Sequence, residues 1–140
     1  MDNSHNADAA GVLADYKFYG LHSVFNAPSF LVAAQYVKSE NDQKNAGAGT
    51  TDWNGAGISV NGTFRFGEKK QYSVIARYDN WENENTVSGN VTSTENNYIY
   101  GAAWQQNKNV KWLLSGQTYD LKDTDTSDWN SVMLTAEVHW

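Results

Sequence analysis

The sequence has no cysteine, a single proline and no long apolar run, and helical periodicity is weak from end to end. Each absence excludes something. Without cysteine there is no disulfide framework and no thiolate metal site. Without a run of roughly 18 to 20 apolar residues no transmembrane helix can form. That test is blind to membrane strands, which face lipid only with alternate residues and keep a polar average such as the mean hydropathy of -0.65 found here. A basic excess is also missing. Ten Lys and Arg stand against 16 Asp and Glu, for a net charge of -6, which argues against nucleic acid as a partner. The opening MDNSHNADAA has neither the basic nor the apolar segment of a signal peptide.

What is abundant is aromatic: six Trp and eight Tyr in 140 residues, a length that fits one domain over 1–140. Period-two alternation predicts seven strands, at 12–25, 30–38, 57–66, 71–82, 96–106, 110–121 and 129–140. The connections alternate in kind. NAPS (26–29), GEKK (67–70) and NKN (107–109) are tight turns, whereas 39–54, 83–95 and 122–128 are longer polar loops. Short turns at one end and long loops at the other are the pattern of an outer-membrane meander.

Parity sharpens this reading. Even positions of the predicted strands are apolar, as in Ile58, Val60, Phe64 and Phe66, or Val132, Leu134, Ala136, Val138 and Trp140. Odd positions are polar or charged, interrupted by Leu31, Ile75, Ile99, Leu113 and Met133. On the even face Phe30, Phe66, Tyr72, Trp104, Trp112 and Trp140 cluster beside the short turns, and Tyr16, Tyr36, Tyr78 and Tyr98 lie toward the loops. Two aromatic bands around an aliphatic belt suit a lipid-facing wall, because amphipathic rings favour the headgroup interface; a soluble core requires no such banding. The fold expected is an all-β, antiparallel, up-and-down transmembrane β-barrel, with the even face toward lipid and the odd face toward a lumen. A soluble β-barrel or sandwich binding carbohydrate through Trp53, Trp81 and Trp129 is the first alternative. A sealed structural or adhesive membrane barrel is the second.

SVIARYDNWE (73–82), NNYIYGAAWQQNKNVKWLLSGQTYDL (96–121) and a last strand ending on an aromatic resemble the C-terminal part of bacterial outer-membrane porins, with phosphate-selective-porin-like proteins the nearest group. The matching features are Ala76-Arg77-Tyr78-Asp79 ahead of a loop, Tyr100-Gly101 leading to the Asn107-Lys108-Asn109-Val110 turn, and Trp140. The resemblance covers 57–140 well and 12–38 more loosely. It implies an integral protein of the bacterial outer membrane that passes small hydrophilic solutes or ions, with no cofactor. It also implies a terminal strand read by the barrel-assembly machinery. Complete bacterial barrels have even strand numbers, so seven strands imply part of a larger barrel, completed by further strands or by other barrel chains, with 1–11 the remnant of an extracellular loop.

Within that reading the residues that would line the lumen and set ion preference are Asp15, Lys17, Arg65, Arg77, Asp79, Lys111 and Glu137. Opposite charges on neighbouring strands also simply neutralise one another on a wet wall. Nothing marks a catalytic or metal site. Asp123, Asp125 and Asp128 fail the EF-hand pattern, which needs Gly where Asp128 stands and Glu where Leu134 stands. His5, His22 and His139 share no ligand spacing, and no serine is placed to partner His22. The NGT and NVT triplets carry no information in a bacterial barrel. The two GAG stretches precede no helix that would make a phosphate cradle.

Overall fold

A computed structural model describes residues 16–43, 52–85, 90–122 and 128–139. Seven strands follow one another: β1 (Lys17–Asn26), β2 (Phe30–Gln43), β3 (Asp52–Phe66), β4 (Tyr72–Asn85), β5 (Asn90–Gln105), β6 (Val110–Lys122) and β7 (Trp129–Val138). Each pairs antiparallel with the next in a single sheet of order β1-β2-β3-β4-β5-β6-β7. The meander is all-β and up-and-down as expected. It is also open: β1 and β7 are edges, and they are not hydrogen-bonded to each other.

Most strands run beyond their expected ends on the loop side. β2 continues to Gln43, β4 to Asn85, and β5 begins at Asn90. These extensions carry no apolar alternation, so periodicity could not reveal them. The backbone ladder holds them, and Thr94 adds strand propensity. Register shifts between Ser39 and Asp42 and between Asn83 and Glu84 mark where the pattern is broken.

Three tight turns close the other end. In the first, Ala27 N–H donates to Phe30 O at 2.8 Å. The second uses Gly67 at φ 91° and Lys70 at φ 52°. In the third, Asn107 Oδ1 accepts from the backbone N–H groups of Asn109 and Val110 at 2.8 and 3.0 Å, an Asx turn. Asn109 then fastens β7 by donating Nδ2 to His139 O at 2.6 Å while its own carbonyl accepts His139 N–H.

Turn length sets which residues share a face. Phe66 pairs with Tyr72 and Gln105 with Lys111, so residues 67–71 and 106–110 lie between, and like parity meets like. Asn26 pairs with Leu31, so only 27–30 intervene and parity inverts. β1 therefore departs from the expected even-face rule: Tyr19, Leu21, Ser23 and Phe25 join the even face, and Phe18, His22 and Val24 join the odd. The physical reason is the turn around Pro28, one residue shorter than the other two.

The even face is apolar and bare. Phe64, Phe66, Tyr72, Val74, Tyr100, Trp104 and Leu114 are all exposed, and Val132 and Leu134 reach 80% and 68%. Among the described residues the buried apolar side chains are Ala33 and Ala103, both odd-numbered, whereas Ala34, Ala76 and Ala102 on the even face are exposed. The same contrast runs along β3 to β6, where odd positions such as Ser59, Thr63, Ile75, Ile99 and Leu113 are half-buried and even ones such as Val60, Phe64, Val74, Tyr100 and Leu114 are exposed. In a single layer this is the burial pattern of a sheet curved with its odd face concave and its even face convex.

Candidate functional site

The concave face carries the polar side chains in cross-strand rows. One row reads Ala33, Asn61, Arg77, Ile99, Gln117 and Ser131; the next, toward the loops, reads His22, Gln35, Ser59, Asp79, Asn97, Tyr119 and Trp129. Alternation on β4 puts Arg77 and Asp79 on the same face, and Arg77 Nε lies 2.9 Å from each Asp79 carboxylate oxygen. Asn97 Nδ2 donates to Asp79 Oδ2 at 3.2 Å, and Gln117 Nε2 donates to Asn97 Oδ1 at 2.8 Å. One hydrogen-bonded chain thus crosses β4, β5 and β6. With 49% and 23% of the Arg77 and Asp79 side chains exposed, the ion pair contributes about 0–1 kcal/mol. Its effect is to hold two opposite charges at fixed positions.

Lys111 and Glu137 face each other across β6 and β7, 3.2 Å apart, and Glu137 also meets His139 Nε2 at 2.7 Å. Arg65 lies on the same face beside Ser73, without an ion pair among the described residues. Lys17 is placed elsewhere: the inverted turn sets it opposite Glu40, on the face of Tyr19 and Leu21. Asp15 lies outside the described residues. Among the described concave side chains of β2–β7, Arg65, Arg77 and Lys111 are thus balanced by Asp79, Glu95 and Glu137. Sequence reasoning puts Gln117 on the odd polar face without naming it among the lumen candidates. It misses Asn97 and also Glu95, which the strand extension of β5 brings out of the expected loop 83–95.

The aromatic residues order themselves on the convex face. Phe66, Tyr72, Trp104 and Trp112 form one continuous row across β3 to β6, with Phe66 and Tyr72 stacked at 5.6 Å. Phe30 stands one row in, opposite Phe64. Tyr78 and Tyr98 pair at 5.0 Å nearer the loops. The polar tips point out of the belt at both borders: Trp112 Nε1 donates to Gln106 Oε1 at 2.9 Å, and Tyr78 Oη donates to Asn96 Oδ1 at 2.9 Å. Asn80 Nδ2 donates to the same Asn96 oxygen at 3.1 Å. Trp140 lies outside the described residues. From the Tyr72 row to the Asn80 row is eight residues of β4, roughly 27 Å at ~3.4 Å per residue. On this face the first charged side chains, Asp120, Lys38 and Glu82, come at or beyond that Asn80 row.

Among the described residues no group of His, Asp and Glu is arranged to hold a metal ion. Searches of protein-family models, of curated proteins and of solved structures return no match to the chain.

Proposed function

We propose that this chain is wall of an outer-membrane β-barrel porin, through which small hydrophilic solutes or ions diffuse passively. The observation that carries this reading is the assignment of faces. A soluble barrel or sandwich fills its interior with the apolar face; here the apolar face is convex and the concave face holds the Arg77–Asp79–Asn97–Gln117 chain. The belt between the Tyr72 row and the Asn80 row, where charge begins, supports it, since a strand tilt of about 40° reduces its roughly 27 Å to about 20 Å, somewhat under the roughly 25 Å of a lipid-facing band.

An open sheet edge is not tolerated in hydrocarbon, because unpaired backbone groups there cost several kcal/mol each. β1 and β7 run in the same direction, being first and last of seven antiparallel strands. Antiparallel closure therefore takes an odd number of additional strands. Permeation through such a wall needs positioned charge and a wet path, and no bond is made or broken.

The reading is tested by single-channel recording of the full chain in planar bilayers. Discrete conductance steps that scale with salt concentration are the expected result. A chain that inserts into the bilayer but gives no steps overturns diffusion in favour of a sealed, adhesive wall.

A further inference from the structure

We propose that the loop-side half of the concave face binds a neutral oligosaccharide, with the flat ring of Trp81 as its platform. This rests on the porin reading in one respect, that a permeating solute would meet this face. Trp81 stands opposite Gly57 on β3 and Glu95 on β5. A Cβ at Gly55 would come within 2.3 Å of indole Cζ2, and one at Gly57 within 2.4 Å of Cε3. Those two atoms lie on opposite sides of the six-membered ring. The ring is therefore laid along the β3 backbone, with glycine at both positions where a side chain would prop it up.

A ring lying against the sheet turns its other π face to the concavity. Its N–H is already used, since Nε1 donates to Asn83 Oδ1 at 2.9 Å. Stacking is what the side chain still offers. A second aromatic pair stands two strands across and one row toward the belt, roughly 12 Å away at ~4.8 Å per strand and ~3.4 Å per residue, where Tyr119 and Trp129 stack at 5.7 Å. Between the two lies Glu95, diagonal to Tyr119 on the neighbouring strand, and one row nearer the membrane belt are Asp79 and Asn97.

Flat apolar rings beside carboxylates and amides match a pyranose, whose C–H face stacks and whose neighbouring hydroxyls need planar acceptors and donors. A phosphate fits poorly, because Asp79 and Glu95 would repel it and Arg77 is already joined to Asp79. A quaternary ammonium could also lie on such a ring, and the test separates it.

The chain is refolded in detergent micelles and titrated with maltotriose and with cellotriose, read by tryptophan fluorescence. Glycerol at matched osmolality and choline chloride serve as controls. A saturable change with a trisaccharide and none with glycerol is expected. Trp81→Leu should weaken it by at least roughly tenfold, as loss of one aromatic anchor does. Gly57→Ala, which keeps every aromatic but props the ring, and Glu95→Gln should weaken it with an unchanged far-UV circular dichroism spectrum. No saturable response to either sugar, a response unaltered in Trp81→Leu, or a saturable response to choline alone would overturn the site. The two readings fail separately. A chain that conducts but ignores sugar loses only the site, and one that binds sugar in micelles but never conducts loses only the pore.

Discussion

Glycine occurs on both faces of β3, and the two faces treat it differently. A Cβ at Gly57 would press into the Trp81 ring and come within 2.7 Å of the Asn80 carbonyl, which is backbone and cannot step aside. A Cβ at Gly62 meets nothing closer than the Leu31 carbonyl at 3.8 Å. Gly57→Ala is therefore expected to destabilise the folded chain by about 1–3 kcal/mol, the cost of overpacking. Gly62→Ala should stay within roughly 1 kcal/mol of the parent and can gain from reduced unfolded-state entropy. Urea unfolding in lipid vesicles checks both, and equal effects would contradict the placement of Trp81. Little of this was legible beforehand. The sequence shows a Gly-Ala-Gly stretch, but the ring that needs it is on another strand, 24 positions away in the case of Gly57.

At the scale of the strand, one residue of turn length decides which side of a wall a side chain occupies. The turn at 27–30 places Phe25 beside Val32 and Val24 beside Ala33, the reverse of what continuous even-odd counting gives. Spin labels at Phe25→Cys and Val24→Cys in vesicles test this. The first is expected to be quenched more strongly by oxygen, which concentrates in lipid, and the second by a water-soluble nickel chelate. The opposite order would restore the uninverted register. On β4, Val74→Arg should cost about 2–4 kcal/mol, as a charge in the lipid-facing belt does, whereas Ile75→Arg points into the concavity and should cost less. The alternation of Tyr72 to Tyr78 was plain in the sequence, since period two survives wherever one face must be apolar. The inversion at β1 was not, because both Leu21 and His22 sit in runs too mixed to choose a face, and turn residues do not announce their register. The strand extensions past Lys38 and Glu82 were hidden for a related reason: where both faces are wet, no pattern is imposed.

At the scale of the molecule, the convex apolar belt and the charge-balanced concave face set what a pore of this kind would pass. Three basic and three acidic side chains on the described concave face of β2–β7 predict weak discrimination between small cations and anions. Asp79→Asn leaves Arg77 uncompensated and should move the reversal potential in a salt gradient toward anion preference; Arg77→Gln should move it the other way. The polar identity of that face could be read from odd-numbered positions. Its charge balance could not, because it depends on Lys17 falling on the opposite face and on Glu95 standing among the concave residues.

Pore, selectivity and sugar site all require the even face to meet lipid, and depth-resolved quenching measures that directly. Single-tryptophan variants retaining Trp112, or carrying Val132→Trp as the sole tryptophan, are folded into vesicles of phosphatidylcholine brominated either near the headgroup or deep in the acyl chain. Trp112 should be quenched best by the shallow bromines and the tryptophan at 132 by the deep ones, as expected if the convex face spans the bilayer with its aromatic row at the border. A chain that remains monodisperse in water, with neither tryptophan quenched at any depth, would contradict the account.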